Sequence, residues 1–119
     1  MIIAILSGLS ASLSAQSDAI EGKWFAEEMD NSTIVISGKK EAFFGKVVES
    51  DNAEHLEKNI LKNFVYDPEE NHWKGKIFSP KKNMIIQATI TMIDRSKLKI
   101  VGKKLFFTKT MYFTRIETR

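Results

Sequence analysis

MIIQATITMI, residues 84–93, is the stretch that decides the fold. Successive side chains of an extended strand point to opposite faces. Met84, Ile86, Ala88, Ile90 and Met92 therefore share one side, and Ile85, Gln87, Thr89, Thr91 and Ile93 share the other. The flanking stretches repeat the pattern. HWKGKIFS, residues 72–79, sets Trp73, Gly75 and Ile77 against His72, Lys74 and Lys76. KLKIVG, residues 97–102, sets Leu98, Ile100 and Gly102 against Lys97 and Lys99. An apolar face in all three neighbouring strands, opposed by lysines in two of them and by Gln and Thr in the third, describes a sheet packed on a core on one side and wetted on the other.

Outward from this centre, alternating segments recur roughly every 10–14 residues with turn chemistry between them. They predict strands at 22–28, 32–37, 42–49, 61–66, 73–79, 84–93, 97–102 and 108–116. Gly38-Lys39-Lys40, Asp67-Pro68-Glu69-Glu70-Asn71, Pro80-Lys81-Lys82-Asn83 and Asp94-Arg95-Ser96 supply the Gly, Pro, Asn, Asp and Ser of tight connections. The exception is 51–59, where Asp51 or Asn52 is expected to cap a short helix that turns Leu56 inward. Eight strands with short connections predict an all-β fold, an antiparallel up-and-down barrel whose closure removes exposed sheet edges.

Composition agrees. A chain of 119 residues suits one domain on the usual scale of roughly 100–200 residues. With 43% hydrophobic and 28% charged residues it has the makings of a folded core, which argues against disorder. Eight Phe, two Trp and two Tyr, beside many Ile and Val, favour strands. Cysteine is absent, so disulfides, thiolate metal sites and a cysteine nucleophile are excluded. Charge is unevenly spread. Residues 1–70 hold six Lys and Arg against thirteen Asp and Glu, a net −7, while residues 71–119 hold twelve against two, a net +10.

Met1 to Ser17 carries no charged side chain, and Ile2, Ile3, Ala4, Ile5, Leu6, Leu9 and Leu13 make it apolar. That run is too short to cross a bilayer, which takes about 20 residues. It has the form of a signal peptide with small residues Ser12, Ser14 and Ala15 before a cleavage point between Ser14 and Gln16. The expected organisation is a signal peptide at 1–15 and one barrel domain at 21–119, the product being soluble and periplasmic or secreted.

Gly22-Lys23-Trp24 at the head of the first strand and Arg115 near the end of the last resemble the calycin, or lipocalin-like, barrels. That resemblance implies a structural pair, the Arg115 guanidinium lying across the Trp24 indole to close one end. A more extensive likeness joins Phe44-Gly45-Lys46-Val47-Val48, Ile60-Leu61-Lys62-Asn63-Phe64, Trp73-Lys74-Gly75-Lys76-Ile77 with Pro80, Leu98-Lys99-Ile100-Val101-Gly102 and Phe113-Thr114-Arg115. In these motifs the chain resembles the small exported bacterial proteins of domain of unknown function 2147, a family that implies a barrel and export but no activity. Ser79 stands where that family usually has Asp, Asn83 where it has a turn Gly, and Phe113 where it has Trp.

Candidate chemistry is sparse. His55 and His72 lack partners at ligand spacing, so both read as structural or exposed and no metal or cofactor is expected. Asp67, Glu69 and Asn71 alternate like a calcium loop but lack its Gly and its terminal Glu, and they read as a solvated turn. Adjacent Glu69 and Glu70 lack the desolvation that separates a catalytic carboxylate pair. No nucleophile elbow or phosphate-cradling glycine loop occurs. Two surfaces remain. Lys74, Lys76, Lys97, Lys99, Lys103 and Lys104 form a candidate patch for anionic envelope lipid or polysaccharide; export and scant aromatic interleaving argue against nucleic acid. Ile77, Met84, Ile86, Ile90, Met92 and Ile100 would line the barrel interior and hold a small apolar ligand if it were hollow. The favoured expectation is a non-enzymatic structural or interaction module of the envelope, and the other a carrier or sensor of a small apolar ligand.

Overall fold

The computed structural model describes residues 16–117, so the expected signal peptide at 1–15 lies outside the described residues. Eight strands follow one another: β1 (Gly22–Ala26), β2 (Ser32–Lys39), β3 (Ala42–Glu49), β4 (Asn59–Asp67), β5 (His72–Ser79), β6 (Met84–Asp94), β7 (Lys97–Lys104) and β8 (Phe107–Arg115). Each pairs antiparallel with the next, and β8 returns to β1 with Arg115 opposite Trp24 and Thr114 opposite Phe25. The result is a closed up-and-down barrel with no free sheet edge.

The strand pairing stacks the inward residues. Trp73, Ile90, Ile100 and Met111 face one another across β5 to β8, and Leu98 faces Phe113. Trp24, Trp73, Phe64 and Phe113 are the largest of the fully buried side chains. The inward glycines leave no gap among them. A Cβ added at Gly45, Gly75 or Gly102 would lie 2.7 Å from Leu61 Cδ1, Phe64 Cγ or Ile86 Cδ1 respectively. Larger neighbours already lean into the room these residues provide, so the space at each of these glycines is filled.

A strap closes one end. A 3₁₀ turn at Asp18–Ile20 carries the fully buried Ile20 beneath the barrel. Trp24 Nε1 donates to the Ile20 carbonyl at 2.9 Å, and Trp73 Nε1 donates to the Ser17 carbonyl at 3.0 Å. The Arg115 guanidinium sits 4.2 Å from the centre of the Trp24 ring. From there Nη2 donates to the Ala19 carbonyl at 2.7 Å, Nη1 to Glu21 at 3.0 Å, and Nε to Arg95 in the β6–β7 turn at 2.7 Å. Gly22 makes the approach possible. Its φ of 134° suits glycine, and a Cβ there would stand 2.9 Å from Nη1.

Four local expectations are corrected. The β2–β3 turn falls at Lys40 and Glu41, with φ of 53° and 69°, and Gly38 lies within β2, where its N–H donates to Glu21 Oε2 at 2.9 Å. In β4, Asn63 adopts φ 53° at a register shift, so Leu61 and Phe64 both point inward though three residues apart. Such a bulge breaks strict alternation and bends the strand. The segment after β3 is a 3₁₀ turn, Ala53–His55, capped by Asn52 through a bond from Glu54 N–H. It buries His55, at 5% exposure, and leaves Leu56 outside at 38%. The β7–β8 turn is Leu105-Phe106, so the strand expected at 97–102 runs on through Lys103 and Lys104.

Candidate functional site

The end opposite the strap is the mouth, ringed by the β1–β2, β3–β4, β5–β6 and β7–β8 connections. A network of short polar side chains ties the first two together. Asp30 and Asn31 both take the left-handed conformation, with φ of 56° and 53°, which suits Asp and Asn better than other non-glycine residues. Asn31 Nδ2 donates to Asp51 Oδ2 at 2.8 Å, and Asp51 N–H donates to the Asp30 carbonyl at 2.9 Å. Asn52 Nδ2 donates to Asp30 Oδ2 at 3.2 Å, and His55 Nε2 donates to the same oxygen at 3.0 Å. The bond from Asn52, then that from His55, holds the Asp30 carboxyl below its ordinary 3.8.

Because the imidazole donates from Nε2, its Nδ1 in the neutral form is an acceptor. That atom is buried and has no hydrogen-bond partner among the described residues. His55 lines a pocket of about 240 Å³ in the mouth. Met29, Ile77, Phe78 and Met111 are among its apolar lining, and Glu28 and Asp30 line it together with Lys81, Lys82 and Lys109. Its carboxylates come from the acidic first half of the chain and its lysines from the basic second half.

The candidate ligand-lining residues are divided by the fold. Ile77 lies on the mouth pocket; Ile90 and Ile100 are fully buried in the packed core. Ile86 and Met92 pack against that core half-buried, and Met84 lies on a surface patch beside Leu105. The six do not line one chamber. Asp30, His55, Met29 and Met111 are the site residues that sequence reasoning missed. The Asp-Asn turn was a legible signal for Asp30. Nothing in the sequence joined it to a histidine 25 positions away.

The lysines also divide. Lys76 and Lys103 flank Gln87 in register, and Lys62 on β4 stands opposite Lys76. Lys74 and Lys103 border an outer depression of about 240 Å³ with Gln87, Thr89 and Val101. Lys97 instead lies over the Tyr112 ring, 5.6 Å from its centre, and Lys99 is half-buried near the strapped end. Lys104 belongs to the mouth. Among the described residues no helix is long and apolar enough to cross a membrane.

The barrel is similar in fold to protein HP1028 of Helicobacter pylori, described as belonging to the lipocalin family. The TM-score is 0.67 over 82% of this chain and 83% of that one, at 11% identity. No curated protein matches the chain. The family model for "Uncharacterized protein conserved in bacteria (DUF2147)" matches residues 22–115, from the first residue of β1 to the last of β8. The chain therefore belongs to the DUF2147 family, on a closed lipocalin-like barrel.

Proposed function

We propose that this protein is an exported, non-enzymatic binding module that takes a small, largely apolar molecule in the mouth of its barrel. The carrying observation is the pocket of about 240 Å³, apolar at Met29, Ile77 and Met111 and polar at its rim, above an interior filled by aromatic side chains. Drug-sized ligands occupy roughly 300–1,000 Å³, so the guest is smaller, or only one end of it enters. Its polar head would meet Lys81 or donate to His55 Nδ1. A binding role suits the His55–Asp30 pair, whose second ring nitrogen meets no nucleophile among the described residues. Export is supported by the apolar run at 1–15. Cleavage after Ala15 would keep every strap contact described above, which begin at Ser17.

Methyl-labelled methionine offers a direct test, because the side chains are well placed. Met29 and Met111 line the pocket and Met92 packs elsewhere. Titration with decanol and with decanoate is expected to shift the Met29 and Met111 methyl signals and leave Met92 in place. Silence at both pocket methyls with both probes would refute the mouth site, and equal shifts at Met92 would relocate binding to the core.

A further inference from the structure

The β7–β8 hairpin ends in the most exposed of the large apolar side chains, Leu105 at 92% and Phe106 at 104%. Phe107 beside them is also exposed, and with Met84 and Lys104 they form one apolar surface. Two-residue hairpin turns favour Gly, Asn or Asp, since a left-handed residue is needed and the tip meets water. Leu105 takes that position with φ 51°. An Asn there would be less strained and more soluble, so neither folding nor solubility accounts for Leu-Phe at the apex. The surroundings are basic. Lys103, Lys104 and Lys109 flank the tip on the same hairpin. Lys82, from the neighbouring turn, places Nζ 5.8 Å from the Phe107 ring centre, with Lys81 next to it. No acidic residue occurs from 95 to 116.

We propose that this tip docks the protein onto a bilayer bearing anionic head groups. Leu105 and Phe106 enter the boundary of the acyl region, and Lys81, Lys82, Lys103, Lys104 and Lys109 meet lipid phosphates. A projecting apolar apex collared by cations matches a surface that offers an apolar phase just below a layer of negative charge. Lys82 and Lys109 also line the mouth pocket, so docking brings that opening to the membrane. The inference rests on the hairpin and stands whether or not the pocket takes a ligand.

Vesicle co-sedimentation tests it with phosphatidylcholine alone and with phosphatidylglycerol added. Binding is expected only with the anionic lipid, weakening between about 0.1 M and about 1 M salt as the Debye length falls from about 10 to about 3 Å. The double variant L105N/F106G is expected to keep or raise the melting temperature and to bind at least about tenfold more weakly. Burying a Leu or Phe side chain is worth more than the 1.4 kcal/mol that a factor of ten represents. A Phe106→Trp variant should be quenched by brominated acyl chains. Changing Lys74, Lys76, Lys97 and Lys99 together to Gln should leave binding intact. A tip variant that binds like the parent, or loss of binding in the four-lysine variant, would overturn the proposal. So would a dimer in solution that the tip variant dissolves, with no vesicle binding by the parent, because the tip would then serve a second copy of the chain.

Discussion

Replacing Arg115 with Ala removes four interactions at one stroke from the strapped end of the barrel. Three donors lose the carbonyls of Ala19, Glu21 and Arg95, and the Trp24 ring loses the cation 4.2 Å from its centre. Hydrogen bonds from a charged donor contribute about 1.5–3 kcal/mol when shielded, and less where water can replace the donor. Only the bond to Ala19 is part-buried, so it alone deserves the fuller value. With about 1 kcal/mol for the cation–π contact between half-buried Arg115 and buried Trp24, the expected loss is about 3 kcal/mol. In a domain near 100 residues that lowers the melting temperature by about 15 °C. Urea unfolding followed by the emission of buried Trp24 and Trp73 measures it directly. Arg115→Lys keeps the charge but reaches one carbonyl in place of three, and should recover less than half of the loss. A cost below about 1 kcal/mol for Ala, or a Lys variant as stable as the parent, would refute the claim that the planar fork holds the strap.

Three further outcomes are expected. Gly75→Ala should destabilise by about 1–3 kcal/mol, since its Cβ meets the Lys62 carbonyl and Phe64 Cγ, both at 2.7 Å; Gly102→Ala should cost less, because it meets the movable end of Ile86, and equal losses in urea titrations would contradict the packing argument. Asp30 and Asp94 have carboxyls held below their ordinary 3.8, the first chiefly by Asn52 and the second by the Ser96 N–H. The unfolded chain therefore takes up these protons first, so their stabilisation is complete above that value and lost as pH falls below it. Acid titration of Asp30→Asn should accordingly show a shallower stability loss below pH 3.8 than the parent, and an unchanged slope would count against the Asp30 network. Mass measurement of protein from its native host should find a chain beginning near Ala15 or Gln16, and intact Met1 in a soluble cytoplasmic fraction would contradict export.

The sequence by itself determined the number of strands, their order and, for the three strands between residues 72 and 102, the face each one buries. Those properties depend on side chains one and two positions apart, as in residues 84–93, where polarity alternates with the pleat. The Trp24–Arg115 contact was expected from a family resemblance at the two ends of the chain, and barrel closure sets those residues opposite each other. Only the tertiary structure decided which inward residues meet open space. Ile90 and Ile77 have the same apolar character and the same inward phase; barrel depth alone puts one in packed core and the other at the mouth. Local strain was likewise beyond a reading of pattern. Lys40, Asn63 and Leu105 hold left-handed backbone because closing the barrel demands a turn or bulge there, whatever the intrinsic preference of the residue. The Asp30–His55 pair shows the same limit. Two loops meet at one rim because the strands between them are hydrogen-bonded in register, and that proximity is a property of the closed sheet, not of either segment.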